Sequence, residues 1–225
     1  MRNLTLDDAI RIAGHVDAIR TDAVAAVTVY GPEIQSELDT WASELSEHER
    51  AAHALTFALM SARCPFDKNT AVTPPLVDAI HAHADREELE RIIRAHGLGL
   101  ARQKSRYLSL ASDHIRTASA DTMSPDALQG VRGAGPKIRA MAAHLFNEHA
   151  RCFTLDTHML RGLCRLSGID GDTFTVTDAA YNAIEAACLE ACSGIDVAPF
   201  VAQWSLWCKW TGRGFISHSA LFGLE

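Results

Sequence analysis

The chain has 225 residues, 48% of them apolar and 22% charged, which gives enough apolar surface for a packed core and is too apolar for a disordered chain. No run approaches the roughly 18 consecutive apolar residues of a membrane span. Acids stand in the opening MRNLTLDDAIRIAGHVDA where a signal peptide has its apolar stretch, so a membrane channel, a secreted disulfide-stapled mini-domain, collagen and a coiled coil are all excluded.

Helical punctuation dominates the chain. Two segments come nearest to strand alternation, AVAAVTVYG at 23–31 and TFTVT at 173–177. Both are short and isolated, and the expectation is an all-α protein. Ser46 with Glu49 three residues on is a capping box, and it opens ERAAHALTFALMSAR, with Leu55 and Leu59 on an apolar face. Asp85 with Glu88 reads as a second box before REELERIIRAHG, whose Gly97 is a natural stop. Residues 101–117 read as an amphipathic helix with a basic start. Ser124-Pro125-Asp126 offers an N-cap and a proline at the first helical position, opening a short helix to about Gly130. Pro136 restarts a helix, PKIRAMAAHLFNEH. Asp156 or Thr157 caps HMLRGLCRL, and Thr177 or Asp178 caps AAYNAIEAACLEAC, which Gly194 closes. The last predicted helix, PFVAQWSLWCKW, places Trp204, Trp207 and Cys208 on one face. No repeat, low-complexity tract or long linker interrupts this series.

The net charge of −7 hides a division. Residues 1–90 carry −9, residues 91–165 carry +7, and residues 166–225 carry −5. A basic block inside an acidic protein is the footprint of a phosphate-binding face, or else is neutralised by the flanking acids. The six cysteines are expected as reduced thiols. Cys188 and Cys192 share a helix face, but no second pair follows at ligand spacing, so packed small residues are expected and no metal site.

The most informative window runs from Leu128 to Arg161. Gly133-Ala134-Gly135 lies between two short predicted helices, where glycine permits a tight turn and close approach of the backbone. Amides of that turn, and of the helix starting at Pro136, would point outward together and suit a DNA phosphate. GxGPK between two short helices specifies a helix-hairpin-helix.

Val131-Arg132-Gly133-Ala134-Gly135-Pro136-Lys137, followed by Leu155-Asp156-Thr157-His158, resembles the helix-hairpin-helix (HhH-GPD) superfamily of base-excision DNA glycosylases, which includes endonuclease III and the 8-oxoguanine glycosylases. Leu59-Met60-Ser61-Ala62-Arg63 is similar to the end of an early core helix of that family. Ile92 to Leu98, then Lys104 and Arg106, is similar to its Gly-Leu step into a basic helix. The likeness spans residues 46 to 210. It implies an all-α, two-lobed fold: a central lobe over 66–150 holding the hairpin at 124–147, and a second lobe from 1–65 with 151–225.

The resemblance also implies roles. Lys137 matches the lysine that attacks the sugar C1′, and Asp156 matches the catalytic aspartate. Departure of the base builds positive charge on the sugar, which a carboxylate stabilises. An amine then forms a Schiff base, and β-elimination nicks the strand; burial beside cations such as Arg132 and Arg139 would keep that amine neutral. The target base is expected to flip into a pocket. Gly133, Ala134, Gly135, Arg132, Arg139, Arg63 and Lys104 are the expected DNA contacts, Arg63 also filling the gap left by the flipped base. Trp204, Trp207 and His158 are candidates to line the base pocket. The plainer readings are a solvated or phosphate-binding Lys137, an Asp156 that is simply an N-cap, a structural His158, and tryptophans that anchor a core.

Departures from the family pattern bear on the substrate. Arg132 stands where proline is frequent, and Cys64-Pro65-Phe66-Asp67-Lys68 replaces the usual gap-filling residues. Cys188, Cys192 and Cys208 lack the spacing of an iron–sulfur cluster, so none is expected. A cation held by hairpin carbonyls is implied by the family. The expected partner is double-stranded DNA and the expected state a cytoplasmic monomer from a bacterium, an archaeon or a phage. The leading function is a bifunctional DNA glycosylase/AP lyase. One alternative is a phage-type transferase on the same fold that attaches an amino acid to an activated pyrimidine in DNA. The other is a non-catalytic hairpin DNA-binding protein.

Overall fold

The computed structural model describes residues 2–217 and 219–223. These residues form ten α-helices and one pair of short strands. The chain divides into two compact units. One holds the residues up to Leu38 together with Glu148–Ile216, and the other holds Asp39–Asn147 with the segment from Ser217. The first boundary thus falls well before residue 65. The physical reason is α3 (Glu47–Met60), which packs along α7 (Pro136–Phe146) and so travels with the hairpin.

In the hairpin unit α3 is the central helix. Ser46 and Glu49 form the predicted capping box, and every residue from Ala54 to Met60 is buried, Thr56 included. Buried alanines on both helices, Ala51, Ala52, Ala54 and Ala58 of α3 and Ala140, Ala142 and Ala143 of α7, are small enough to allow close helix packing. Around them lie α4 (Phe66–His81), α5 (Arg86–Ala95) and α6 (Ala101–Arg116). Pro74 and Pro75 sit inside α4 and remove two amide donors from its ladder. Asp85 caps α5 through the Glu88 amide alone, without the reciprocal half of a box. Lys68 Nζ reaches the carbonyl of Gly97 just beyond α5. The segment expected to open at Ser124 is a 3-10 turn, Ala127–Gly130, held by the Ser124 hydroxyl accepting from the Ala127 amide.

The other unit is built from both sides of the hairpin unit in sequence. It contains α1 (Leu6–Ala13), α2 (Val16–Glu44) as far as Leu38, α8 (Thr157–Leu166), α9 (Asp178–Cys192) and α10 (Pro199–Thr211). Residues 23–31 lie inside α2. Its buried positions Ile19, Ala23, Ala26, Ile34 and Leu38 follow the helical period, while Val24 and Val29 are 49% and 67% exposed. Two of the three valines that suggested a strand therefore lie on the outer face, and Val27 is half-buried. TFTVT does form a strand: β2 (Phe174–Val176) pairs in parallel with β1 (Arg2–Leu4), a small exception to the all-α expectation. Gly162 on α8 meets Trp210 of α10; a Cβ there would lie 2.2 Å from the indole Cε3. Trp210 in turn donates to Asp22 at 2.8 Å, and Lys209 Nζ bonds the same carboxylate at 2.6 Å. Among the described residues no helix is long and apolar enough to cross a membrane.

Candidate active site

The hairpin is the 3-10 turn Ala127–Gly130, the loop Val131–Gly135 and α7. The Ala134 amide donates to the carbonyl of Val131 and tightens the loop. Gly133 has φ +95°, and a Cβ there would stand 2.7 Å from Cγ of Tyr107. Glycine is required on both counts. Gly135 differs: it has φ −66°, and a Cβ there would meet nothing within 4 Å. The fold itself does not ask for glycine at 135. Gly135 caps α7 without a side-chain acceptor, and Pro136 takes the first helical position.

Lys137 follows directly. It is half-buried, and its Nζ donates to Oγ of Ser61, the residue that ends α3, at 3.3 Å. The turn after Ser61 places Arg63 in the left-handed region, φ +49°, fully at the surface. Arg132 is exposed and Arg139 half-buried on α7. Lys104 departs from its expected place on a DNA-facing surface. It is 2% exposed, because α6 turns it inward beside the Cys64 thiol, and among the described residues no oxygen or nitrogen accepts from its Nζ. Burial pulls the Lys104 ammonium below its usual pKa and pushes Cys64 up, so both groups are driven toward neutrality. A cavity of about 320 Å³ adjoins them, lined by Arg63, Leu100, Gln103, Lys104, Tyr107 and Gly133 among others.

Asp156 lies in the other unit, at the end of an extended segment that pairs with no strand. Its backbone amides are met instead by side chains. Glu185 of α9 accepts from the Phe153 amide at 2.7 Å, Gln203 of α10 from Thr154, and the Tyr181 hydroxyl from Leu155 at 3.2 Å. The same hydroxyl donates to the carbonyl of Phe153 at 2.8 Å. Buried amides left without partners are costly, so these three side chains fix the strap that delivers Asp156 to α8. One carboxylate oxygen of Asp156 caps α8 through the Met159 amide at 2.8 Å, and the other accepts from the Trp207 indole at 3.1 Å. His158 meets Trp207 edge-on at 5.6 Å, and Trp204 lies 5.4 Å from Trp207. The three candidate pocket residues thus form one aromatic group beside Asp156. Glu185, Gln203 and Tyr181 escape sequence reasoning. The available signal was a buried Gln or Tyr in an otherwise apolar helix.

All six cysteines are free thiols. Cys188 is fully buried on α9, with Cys192 half-buried one turn on. Among the described residues no group of three or more His, Cys, Asp or Glu side chains is placed to hold a metal ion.

The model of the HhH-GPD superfamily of base excision DNA repair proteins matches residues 57–192, a stretch that includes both the hairpin and Asp156. The chain belongs to that superfamily. The fold is similar to the 8-oxoguanine DNA glycosylase of Thermotoga maritima, with a TM-score of 0.73 at 14% identity over 90% of this chain and 100% of that one. It is also similar to the 8-oxoguanine DNA glycosylase of Methanocaldococcus jannaschii, with a TM-score of 0.70 at 18% identity over 90% and 98% of the two chains. The M. jannaschii glycosylase/lyase in complex with a 15mer DNA containing 8-oxoguanine gives a TM-score of 0.73 at 17% identity, over 88% and 100%. No curated protein sequence matches the chain.

Proposed function

We propose that the protein is a DNA glycosylase with AP lyase activity, in which Asp156 stabilises the sugar cation that forms as the base departs and Lys137 attacks C1′. The observation that carries this reading is the hairpin inside the family-matched segment, with Lys137 as the second residue of α7 and Asp156 at the head of α8. Electrostatic stabilisation needs a carboxylate held at a fixed orientation. Asp156 has one oxygen on a backbone amide and the other on an indole, which supports that role.

Lys137 supplies the nucleophile. Its neutral amine adds to C1′ as the base leaves with the glycosidic electron pair and takes up a proton; the nitrogen then loses a proton as the C1′–O4′ bond opens to the protonated Schiff base, and loss of the 2′ proton expels the 3′ phosphate. Ser61 accepts from the amine and directs it. Gly135 leaves room for a phosphate to approach the first-turn amides of α7. Arg132, Arg139 and Arg63 supply positive charge to the strand. A cation on the hairpin suits the same reading: the carbonyls of Leu128 and Val131 accept within the turn and each keeps a second lone pair, so these oxygens would hold it and it would offset phosphate charge. Trp204, Trp207 and His158 would face the flipped base by stacking. The first lesion to offer is 8-oxoguanine, the base carried in the names of the matched structures.

The test is borohydride trapping on duplex DNA with an abasic site, wild type beside Lys137→Ala, together with mass analysis of an 8-oxoguanine duplex. A covalent adduct lost in the variant, with free base released, is the expected result. No adduct with the wild type removes the lyase assignment. A base retained with added mass would instead identify a transferase, and binding without chemistry a hairpin DNA-binding protein.

A further inference from the structure

A second cationic surface lies in the hairpin unit, away from Lys137. A groove of about 830 Å³ at the turn between α5 and α6 is lined by Arg86, Arg94, Arg102 and Arg106, with Leu100 and Tyr107 between them. None of its lining residues is acidic. Arg94 is paired with Glu90 on its own helix. Among the described residues Arg86, Arg102 and Arg106 have no acidic partner; Arg86 reaches only the carbonyl of Arg102, at 3.5 Å. All four arginines are exposed. A protein of net charge −7 has acids in plenty, so three neighbouring guanidinium groups without one mark a surface where like charges are held together for an anion.

The dimensions suit a chain of phosphates better than a single ion. Arg102 and Arg106 are one turn apart on α6, roughly 6 Å. Arg86 and Arg94 span two turns of α5, about 12 Å, which is the rise of three to four nucleotides at about 3.4 Å each. The groove is also continuous with the hairpin. Leu100, Gln103 and Tyr107 line both this groove and the smaller cavity that reaches Gly133, and the Tyr107 ring packs directly on that glycine. A strand leaving the hairpin over Tyr107 therefore enters the arginine groove without leaving the unit. Leu100 stands at the shared edge, 42% exposed and in the left-handed region at φ +58°.

We infer that the groove lined by Arg86, Arg94, Arg102 and Arg106 holds the phosphodiester backbone of the duplex engaged at the hairpin, as a second phosphate-binding segment of the DNA surface. This rests on the DNA glycosylase reading above. Guanidinium groups bind phosphate bidentately. Contacts of this kind raise affinity for any sequence and carry no preference for the lesion.

The experiment is the salt dependence of binding to a duplex carrying one abasic-site analogue. Wild type is compared with the double variant R102Q/R106Q and with R91Q. Arg91 is on the same helix as Arg86 and Arg94 but outside the groove, paired with Glu88. All three substituted side chains are exposed, so thermal unfolding is expected to be unchanged and is measured as the check on folding. The expected result is a salt slope reduced by about 2 in the double variant, one for each lost phosphate contact. Binding at low salt should weaken about ten-fold, and hydroxyl-radical protection should shorten on one side of the abasic site. R91Q should keep the wild-type slope. An unchanged slope in a double variant that still binds overturns the groove and leaves the glycosylase reading standing. A slope that falls as much per charge in R91Q also overturns it, since general charge would then explain the effect. A wild type that binds no duplex overturns both.

Discussion

The Trp207 indole donates to the second carboxylate oxygen of Asp156 at 3.1 Å, while the first oxygen is taken by the Met159 amide. A carboxylate held on both oxygens has a fixed orientation, which the role proposed for it at the sugar requires. A hydrogen bond to a charged group is worth about 1.5–3 kcal/mol. Trp207→Phe keeps the ring and removes the N–H. Single-turnover base release should fall roughly 10- to 100-fold by that figure, with DNA affinity retained. In an Asp156→Asn background the same change should add little, because it acts through that carboxylate. Additive losses in this cycle would show that Trp207 only packs.

The cap that Asp156 provides for α8 is separable from the catalytic role proposed for it. Asparagine caps a helix about as well as aspartate, whereas alanine costs about 1 kcal/mol. Asp156→Asn keeps the cap but sets an amide NH2 against the Trp207 indole, whereas Asp156→Ala loses both bonds, so the asparagine variant should unfold above the alanine variant. Both should lose base release by roughly two orders of magnitude or more. Full activity in Asp156→Asn would reduce this residue to a cap.

The two hairpin glycines should respond differently. Gly133→Ala must place a Cβ against Tyr107 at positive φ, a strain of about 1–3 kcal/mol, visible as a lower unfolding midpoint. Gly135→Ala meets open space at an ordinary φ and should leave the midpoint alone. It should instead weaken duplex binding, read by fluorescence anisotropy, because the methyl group would intrude where the proposed reading brings a phosphate. Equal binding by Gly135→Ala and wild type would take the phosphate away from this amide cluster.

Lys104 provides a pH test. Burial lowers its pKa in the folded protein, while the unfolded chain keeps a value near 10.4. Between the two values the unfolded state binds more protons, so stability rises with pH through that window. Below the folded value the penalty is present in full. Lys104→Met should accordingly raise the unfolding midpoint at neutral pH, and the gap should narrow as pH rises toward about 10.4. Cys64 faces Lys104 and is coupled to it, so both proteins are compared in a Cys64→Ala background, where the remaining thiols titrate in both and cancel in the difference. A gap independent of pH would mean that the methionine gains by packing alone.

Much of the fold was legible because helix termini are local. Ser46 with Glu49, Asp156 and Thr177 each cap the helix that follows, and the glycines of the hairpin stand where the turn was expected. What escaped is tertiary. The valines of 23–31 carry a strand's composition, and only the core around Ile19, Ala23 and Ile34 shows which face of α2 is buried. The β1–β2 pairing joins Arg2 to Phe174, beyond the reach of any local pattern. At the site, Asp156 was legible as a cap, but the straps from Tyr181, Glu185 and Gln203 come from helices that follow it in the chain. Lys104 looked like one more cation of the basic block until α6 turned it inward.

The parallel pairing of β1 with β2 also sets an order of events. The hairpin unit is almost entirely one continuous stretch, Asp39–Asn147, and can gather its helices as soon as that stretch has left the ribosome. The first 38 residues have to wait. Their apolar face, Ile12, Ile19 and Ala23, has no complete partner until α8 and α9 have been synthesised. Leu4 has no strand to lie against until Val176 has appeared. A chain stopped before residue 174 would therefore carry Asp156 on a half-built support, beside an N-terminal helix pair with its greasy side still open to chaperones and proteases.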